Sequence, residues 1–141
     1  MIRAYKSSDI TKILEIWLEA SIEAHDFIDS KFWKSKVDEM RDVYIPSAET
    51  YVYEEKGIVK GFVSLSNNIL AAIFVSPKDQ GKGIGMQLMQ KVKDIRNNLS
   101  LTVYKENKRS INFYIKCGFS VVQEQTDSNT GHQEFVMTFN S

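Results

Sequence analysis

The chain has 141 residues, of which 43% are hydrophobic and 26% are charged, and its 18 basic side chains balance 18 acidic ones. This length predicts a single domain, residues 1–141, with a substantial hydrophobic core, and it is too short for two ordinary domains. The composition argues against disordered, collagen-like and coiled-coil proteins, and the net charge of zero argues against broad binding to nucleic acids or anionic membranes.

The first third of the chain predicts a short strand followed by two helices. Residues 2–5 form the strand, and Ser8 or Asp9 can cap the helix that follows. Apolar residues recur in that helix at a spacing that would pack it on a sheet: Ile10, Ile13, Leu14, Trp17 and Leu18. Asp29-Ser30 can cap the second helix, which Pro46 would end. Its predicted apolar stripe consists of Trp33, Val37, Met40 and Tyr44.

Three antiparallel strands are predicted next. Residues 50–54 alternate in polarity, a turn follows at Gly57, and residues 58–65 return as the second strand of a hairpin. A polar turn then leads into the apolar run Ile69–Val75, which Ser76-Pro77 ends. The third strand therefore runs directly into the segment that follows.

A glycine-rich turn joins this strand to a helix that extends to about Arg96. The turn contains Gln80 and the small residues Gly81, Gly83 and Gly85, and its glycines allow successive amides to turn toward an anion. The first amides of a helix lack internal partners, and the helix dipole adds positive charge there. The segment therefore predicts a phosphate site.

Two familiar phosphate loops do not match this segment. The nucleoside triphosphatase loop ends in Gly-Lys-Ser/Thr, whereas Gly85 is followed by Met86. The dinucleotide-binding fingerprint would begin at Gly81, but its third glycine position is also Met86, and no acidic residue opens a following strand. Neither pattern explains the glycines.

The remaining elements complete a mixed sheet. Residues 99–104 form a strand that should lie parallel to Ile69–Val75, because a crossover helix connects the two. The two strands should diverge where that helix enters, and a cleft should open between them. The order β-α-α-β-β-β-α-β-α-β-β places the protein in the α/β or α+β class.

The C-terminal third predicts one more helix and a hairpin. Asn107 or Ser110 starts the helix, and Gly118 ends it in a left-handed conformation that glycine adopts at little cost. Residues 119–124 and 132–139 are the two strands of the hairpin.

Two blocks of residues resemble one enzyme family. Gln80, Gly83 and Gly85 match Gln/Arg-x-x-Gly-x-Gly/Ala, which resembles the coenzyme A pyrophosphate loop of GNAT-superfamily N-acetyltransferases. Residues 107–119 are similar to the family's Asn-x-x-Ala-x-x-Phe-Tyr-x-x-x-Gly-Phe, with Ser110 in place of the alanine. The resemblance implies the GNAT fold: a single mixed, mostly antiparallel sheet whose central parallel pair is split by the acyl-CoA site, with helices on both faces.

The resemblance also implies that acetyl-CoA is the co-substrate and that no metal takes part. The pantetheine arm would pair with the strand backbone while the pyrophosphate binds the glycine loop. The implied coenzyme-binding residues are Ile73, Phe74, Val75, Gln80, Gly81, Lys82, Gly83, Ile84, Gly85, Met86, Asn107 and Asn112. Phosphates could be neutralised by Lys78, Lys82, Lys105, Lys108 and Arg109.

Tyr114 is the residue to which the resemblance gives a catalytic role. The family uses the tyrosine of its Phe-Tyr pair to protonate the departing coenzyme thiolate. Helical spacing with Ile111 and Ile115 alone would instead favour a place in the core. A phenol with a pKa of about 10 stays protonated at neutral pH and suits the role of acid.

The general base and the acceptor site are predicted less directly. Many family members carry a glutamate on the strand matching residues 70–75, which is apolar here. His25 and Glu23 are candidates, and a water-relayed base or a structural His25 are alternatives. The acceptor pocket is expected between the first two helices and the final hairpin. Its predicted lining is His25, Phe27, Ile28, Trp33 and Tyr44.

The predicted function is transfer of an acetyl group to a primary amine. The short chain and the segment Ala-His-Asp-Phe-Ile at 24–28 resemble small stand-alone bacterial acetyltransferases of the YiaC and YjaB kind. The implied acceptor is a protein lysine or a small-molecule amine. A non-catalytic coenzyme A binding or sensing module is the alternative, whereas a structural domain without a ligand would leave the glycine loop unexplained.

The expected setting is the cytoplasm. Cys117 is the only cysteine, so an internal disulfide is impossible and a reducing compartment is expected. We expect Cys117 to pack in a helix, because a nucleophilic thiol needs a neighbouring base. The N-terminal residues lack the apolar core of a secretory signal. No membrane or nucleic-acid partner is expected, and the protein should be a monomer or a homodimer.

Overall fold

Seven strands form one sheet in a computed structural model that describes residues 1–141. They are β1 (Ile2–Ala4), β2 (Glu49–Glu55), β3 (Ile58–Ser66), β4 (Ile69–Val75), β5 (Asn98–Tyr104), β6 (Ser120–Thr126) and β7 (Gln133–Asn140). The spatial order is β1-β2-β3-β4-β5-β7-β6, and every neighbouring pair is antiparallel except β4 and β5. The predicted mixed, mostly antiparallel sheet with a central parallel pair is confirmed.

Helices lie between the strands in the predicted places. They are α1 (Ile10–Ala24), α2 (Ser30–Ser35), α3 (Val37–Glu39), α4 (Ile45–Ser47), α5 (Ile84–Ile95) and α6 (Lys108–Lys116). Short 3₁₀ turns, Ser7–Asp9 and Pro77–Asp79, precede α1 and the glycine loop. None of the helices has the length and apolar character needed to cross a bilayer.

The second predicted helix is interrupted. Asp29 caps it as expected by accepting a hydrogen bond from the Lys31 amide at 2.8 Å, but a π-helical turn, Met40–Tyr44, separates α3 from α4. The helical segment ends at Ser47, one residue beyond the predicted end at Pro46, and Pro46 lies in the short α4, where its missing N–H is not needed. Tyr44 is 55% exposed and does not belong to the apolar stripe.

The core covers both faces of the sheet. Phe62 and Val63 are fully buried neighbours on β3, and they point to opposite faces because side chains alternate along a strand. Val63 belongs to the cluster that includes Leu88 of α5, and Phe62 belongs to the cluster that includes Ile13 and Trp17 of α1. Each such burial contributes about 1.5–3 kcal/mol, so helices are held on both faces as predicted.

Strands β4 and β5 separate soon after they meet. Their pairing is restricted to Ile69 and Ser100, together with a 3.0 Å hydrogen bond from the Ser100 amide to the Asn68 carbonyl. Beyond that point the β4 backbone faces an opening instead of a neighbouring strand. The divergence predicted for these two strands is therefore present.

Gly61 allows α5 to lie close to the sheet. A Cβ atom at this position would come within 3.0 Å of the Phe74 carbonyl oxygen and 3.2 Å of the Ile84 and Leu88 side chains. Since real Cβ contacts are rarely this short, a larger residue would push α5 or β4 away. The small residue on β3 thus helps to fix where the first turn of α5 lies.

Candidate active site

A cavity of about 1240 Å³ lies where β4 and β5 separate. Its wall is formed by β4, the glycine loop and the start of α5, the end of β5, most of α6, and the ends of α1 and α2. Side chains from the β6–β7 hairpin complete it. The elements predicted to hold coenzyme and acceptor therefore meet in one space.

The glycine loop presents unbonded amides at the N-terminus of α5. Gly81 and Gly83 have φ values of +79° and +84°, in the left-handed region that favours glycine. The Gln80 side chain donates to the Val75 carbonyl at 3.1 Å and ties the loop to the end of β4. The amides of residues 81–86 have no hydrogen-bond partner in the protein. Together with the helix dipole they form an anion site.

Most of the predicted coenzyme residues line the cavity. They are Ile73, Phe74, Val75, Gln80, Gly81, Gly83, Ile84, Gly85, Met86, Asn107 and Asn112. The side chain of Lys82 does not, because it extends to within 3.4 Å of the Asp79 carboxylate. Among the other predicted cations, Lys108 and Arg109 line the cavity, whereas Lys78 and Lys105 do not.

Tyr114 on α6 lines the same cavity, is partly buried, and makes no hydrogen bond through its hydroxyl within the protein. Its ring packs against Phe113 and Phe119 at centroid distances of 5.6 and 5.8 Å. Burial raises the pKa of the Tyr114 phenol above its usual value, with a smaller contribution from Cys117. The phenol therefore stays protonated at neutral pH and has a proton that it can donate.

His25 follows α1 and is hydrogen-bonded through both ring nitrogens. Its Nδ1 lies 2.8 Å from the Ser21 carbonyl oxygen, and its Nε2 lies 3.2 Å from Nδ2 of Asn107. A carbonyl oxygen can only accept, so Nδ1 carries the hydrogen and Nε2 accepts from Asn107. Burial lowers the pKa of His25, although the Ser21 bond opposes that shift. His25 is neutral, and its lone pair is occupied.

The predicted acceptor residues are only partly brought together. His25 and Trp33 line the cavity, and their rings are stacked with centroids 4.9 Å apart. Phe27, Ile28 and Tyr44 do not line it. Phe27 packs behind the wall against His132 at 5.2 Å, Ile28 is buried in the α1 cluster, and Tyr44 points away on the exposed π turn.

Five carboxylates lie in the wall of the cavity, and only Glu23 was predicted from the sequence. The other four are Asp79, Glu106, Asp127 and Glu134. Tyr104, which also lines the cavity, is the register partner of Glu134, so β5–β7 pairing brings them together. That pairing joins residues far apart in the chain, and the alternating pattern of β7 is the only sequence signal that could have indicated it.

Asp127 is held by a hydrogen-bond network at the end of β5. Its carboxylate accepts from the Tyr104 hydroxyl, from the Thr130 hydroxyl at 3.0 Å and from the Asn129 amide at 3.1 Å. Partial burial opposes ionisation, but these hydrogen bonds outweigh it and lower the pKa of Asp127. Burial and the bond to Asp127 raise the pKa of Tyr104. Asp127 is therefore a fixed negative charge at neutral pH.

The metal-ligating side chains are not grouped. No three or more His, Cys, Asp or Glu side chains lie close enough together to hold a metal ion.

Cys117 is buried at the end of α6. Its thiol contacts the Met86 sulfur at 3.6 Å, and burial raises the pKa of the thiol. This environment is typical of a structural cysteine that packs in the protein interior.

The chain is similar to known acetyltransferases along nearly its whole length. The acetyltransferase (GNAT) domain family matches residues 46–121. Peptidyl-lysine N-acetyltransferase YiaC from Escherichia coli (strain K12) is 39% identical over 140 residues, which cover 99% of this chain and 96% of that protein. The peptidyl-lysine N-acetyltransferase YjaB from Salmonella typhimurium is 27% identical over 121 residues, covering 85% of this chain and 83% of that protein.

Solved structures share the fold. The solution structure of apo YjaB from Escherichia coli has a TM-score of 0.87 and 24% sequence identity, covering 99% of this chain and 96% of that one. The PaiA N-acetyltransferase from Thermoplasma acidophilum, in complex with coenzyme A, has a TM-score of 0.84 and 19% identity, covering 100% and 98%.

Proposed function

Because this chain belongs to the GNAT acetyltransferase family, we propose that it transfers the acetyl group of acetyl-CoA to the side-chain amine of lysine residues in proteins. Family membership makes it an acetyl-CoA-dependent N-acetyltransferase. Two observations support a protein lysine as the acceptor. The YiaC and YjaB relatives are named peptidyl-lysine N-acetyltransferases, and the cavity wall carries carboxylates that attract an ammonium group.

The coenzyme is bound by the glycine loop and the open edge of β4. The pyrophosphate takes the free amides of residues 81–86, and Lys108 and Arg109 supply positive charge. The backbone of residues 73–75 binds the pantetheine amides, which need donors and acceptors that a strand edge offers. This placement holds the thioester beside Tyr114.

Tyr114 is the general acid. The neutral lysine amine attacks the thioester carbonyl, and the tetrahedral intermediate then expels the coenzyme thiolate. The phenol of Tyr114 gives its proton to that sulfur, so the thiol leaves neutral, and the proton that the attacking nitrogen loses restores the phenol through solvent. The single observation that carries this proposal is that Tyr114, whose hydroxyl makes no hydrogen bond within the protein, lines the same cavity as the unbonded loop amides.

The acceptor loses its proton to water in the cavity. A lysine ammonium has a pKa of about 10.4 and arrives charged, so the fixed charge of Asp127 helps to bind it. His25 does not take the proton, because its Nε2 lone pair already accepts from Asn107. The proton of the lysine ammonium therefore passes through water to the carboxylates of the cavity wall.

The test is transfer to defined acceptors. The protein is incubated with acetyl-CoA and a panel of lysine peptides, folded proteins and small amines, and products are identified by mass. We expect acetyl-lysine in the peptides and one equivalent of coenzyme thiol for each acetyl group. Products formed only from small amines would refute the lysine acceptor, and tight coenzyme binding without any product would favour the coenzyme-sensing module.

The chain acts as one domain, residues 1–141, in the cytoplasm, either as a monomer or as a homodimer. Light scattering across a range of concentrations distinguishes the two states. A single cooperative unfolding transition is expected for one domain, and two separated transitions would contradict it.

A further inference from the structure

The bond between His25 and Asn107 joins two walls of the cavity that are 82 positions apart in the chain. His25 lies at the end of α1, and Asn107 is the N-cap of α6. The two residues are only 7% and 8% exposed. A buried hydrogen bond between otherwise separate elements restricts how they can move relative to each other.

The orientation of the Asn107 amide is determined by its two neighbours. Its Oδ1 accepts from the Ser110 amide at 3.3 Å, and its Nδ2 donates to Nε2 of His25. The Ser21 carbonyl fixes the tautomer of His25, so only one amide orientation satisfies all partners. The reversed amide would place two donors together at Ser110 and two acceptors together at His25.

The His25 ring is itself locked by aromatic neighbours. It stacks on Trp33 at 4.9 Å and meets the edges of Tyr104 and Phe27 at 5.3 and 5.7 Å. The imidazole therefore cannot turn away from Asn107 without breaking this packing. A rigid group of this kind can orient the side chain that it contacts.

The cap matters because α6 is weakly buried. None of its residues, Lys108–Lys116, is fully buried, although the helix carries Tyr114. Packing alone therefore holds this helix less firmly than α1 or α5, and the cap at its first turn contributes more to its position. An N-cap hydrogen bond stabilises a helix by about as much as the burial of one or two methylene groups.

We propose that His25 is a positioning residue: it fixes the Asn107 amide, and through that cap it holds α6 so that the Tyr114 hydroxyl faces the reacting thioester. This inference rests on the proposed function for its catalytic part. Its structural part, that His25 orders the first turn of α6, stands independently of activity. His25 acts through Asn107 and touches no reacting atom.

Protonation of His25 would break this arrangement. With a hydrogen on Nε2, the ring would face the Asn107 amide donor, and the amide would have to reverse and release Ser110. The ionisable groups around the ring are Tyr104 of β5, with Asp127 beyond it, Glu23 and Asp26 on its own segment, and Lys108 beside Asn107. None of the carboxylates contacts the imidazole directly.

The test compares two substitutions of the same residue. His25→Phe keeps an aromatic ring but removes both hydrogen bonds, whereas His25→Gln can still accept from Asn107 and does not titrate. We expect His25→Phe to lower kcat roughly 10- to 100-fold, a loss typical of a misplaced catalytic group, with a smaller change in acetyl-CoA affinity. His25→Gln should recover most of that loss, and its activity should be less sensitive to acid than that of the parent, in which His25 becomes protonated only below the ordinary histidine pKa of about 6.5.

Amide hydrogen exchange supplies a readout that needs no acetyl transfer. His25→Phe should increase exchange at residues 110–114, and His25→Gln should not. If the parent is inactive but this pattern appears, the proposed function fails and the positioning role stands. Equal loss of kcat in both variants would identify His25 as the base, and unchanged kcat and exchange in His25→Phe would show that the bond positions nothing.

Discussion

Tyr114 and His25 are both shielded side chains in one cavity, but their hydrogen bonds differ. The Tyr114 hydroxyl makes no hydrogen bond within the protein, whereas both His25 nitrogens are bonded. A group can transfer a proton only if its hydrogen or lone pair can reach the substrate. At the residue scale the structure therefore leaves Tyr114 available and His25 occupied.

We expect Tyr114→Phe to lower kcat by roughly 10²- to 10⁴-fold, the range typical of a positioned acid. Stability should change little, because the Tyr114 hydroxyl makes no hydrogen bond within the protein and its removal leaves no donor or acceptor unpaired. Acetyl-CoA affinity should be nearly unchanged. Single-turnover transfer to a lysine peptide and a melting curve on the same preparation test this. A kcat within about threefold of the parent would remove Tyr114 from the mechanism.

Asp127→Asn should weaken acceptor binding without affecting coenzyme binding. The amide keeps an oxygen for the Tyr104 and Thr130 hydroxyls, but it loses the charge and the bond from the Asn129 amide. We expect the KM for a lysine peptide to rise about tenfold, equivalent to about 1.4 kcal/mol, and to depend less on salt. Because the pKa of Asp127 is lowered, the carboxylate is ionised at every pH above its unfolded value of about 3.9, so the difference should persist from pH 6 to 9.

Glu124→Gln is the matched control for this prediction. Glu124 carries the same charge on β6, but it pairs with Lys105 at 3.3 Å and does not line the cavity. Its substitution should leave the KM for the peptide unchanged. An equal rise in both variants would mean that general surface charge, and not the wall of the cavity, attracts the acceptor.

At the scale of single elements, local sequence signals predicted the coenzyme side much better than the acceptor side. Ser76-Pro77 ends β4, and Gly83 takes a left-handed conformation just before α5. Proline, glycine and the helical spacing of apolar residues are therefore sufficient to predict the strand, loop and helix of this segment. The π turn at Met40–Tyr44 has no comparable signal, and its effect was to turn Tyr44 outward. Asp127 joins the site only through the β6–β7 hairpin, whose position depends on tertiary pairing.

Gly61→Ala should displace α5 from the sheet. The new Cβ would lie 3.0 Å from the Phe74 carbonyl oxygen, a backbone atom that cannot move aside alone. We expect a loss of about 1–3 kcal/mol in the free energy of unfolding, typical of overpacking, together with weaker acetyl-CoA binding as the first turn of α5 shifts. Denaturant unfolding and calorimetric titration measure both effects.

Gly85→Ala serves as the control within the same helix. Its Cβ would meet the Phe113 ring at 3.5 Å, an ordinary contact, and alanine is the better helix former by about 1 kcal/mol. Its free energy of unfolding should be equal to or above that of the parent. If Gly61→Ala were equally stable, close approach of α5 to β3 would not determine the position of the loop.

At the scale of the whole molecule, a net charge of zero conceals a local asymmetry. Acidic and basic residues are equal in number in the chain, yet five acidic side chains line the cavity (Glu23, Asp79, Glu106, Asp127 and Glu134) against three basic ones (Lys108, Arg109 and Lys116). Composition could not indicate this excess of acidic side chains, because the set of residues that meet in the cavity depends on which strands pair. The fold itself was predictable, since two motif blocks in the right order determine the elements on either side of the split in the sheet.

Acetyl-CoA should stabilise the whole fold, because its proposed site joins both halves of the sheet across the gap between β4 and β5. A ligand that binds only the native state adds about 2.7 kcal/mol at a hundredfold excess over Kd. For a chain of this size that corresponds to a rise in Tm of roughly 5–10 °C. Pantetheine without phosphates should give a much smaller shift, since it leaves the loop amides unbonded.

Gly83→Asp should abolish the shift, because it places a negative charge where the pyrophosphate is proposed to bind. The substitution also strains a backbone with φ of +84°, so its Tm without ligand will fall as well. Gly131→Asp separates the two effects. Gly131 also has a positive φ, +77°, but an added Cβ would have no atom within 4 Å, and the residue does not line the cavity. This variant should lose comparable stability but keep the full acetyl-CoA shift. If Gly83→Asp kept that shift too, the coenzyme phosphates would have to bind somewhere other than the glycine loop.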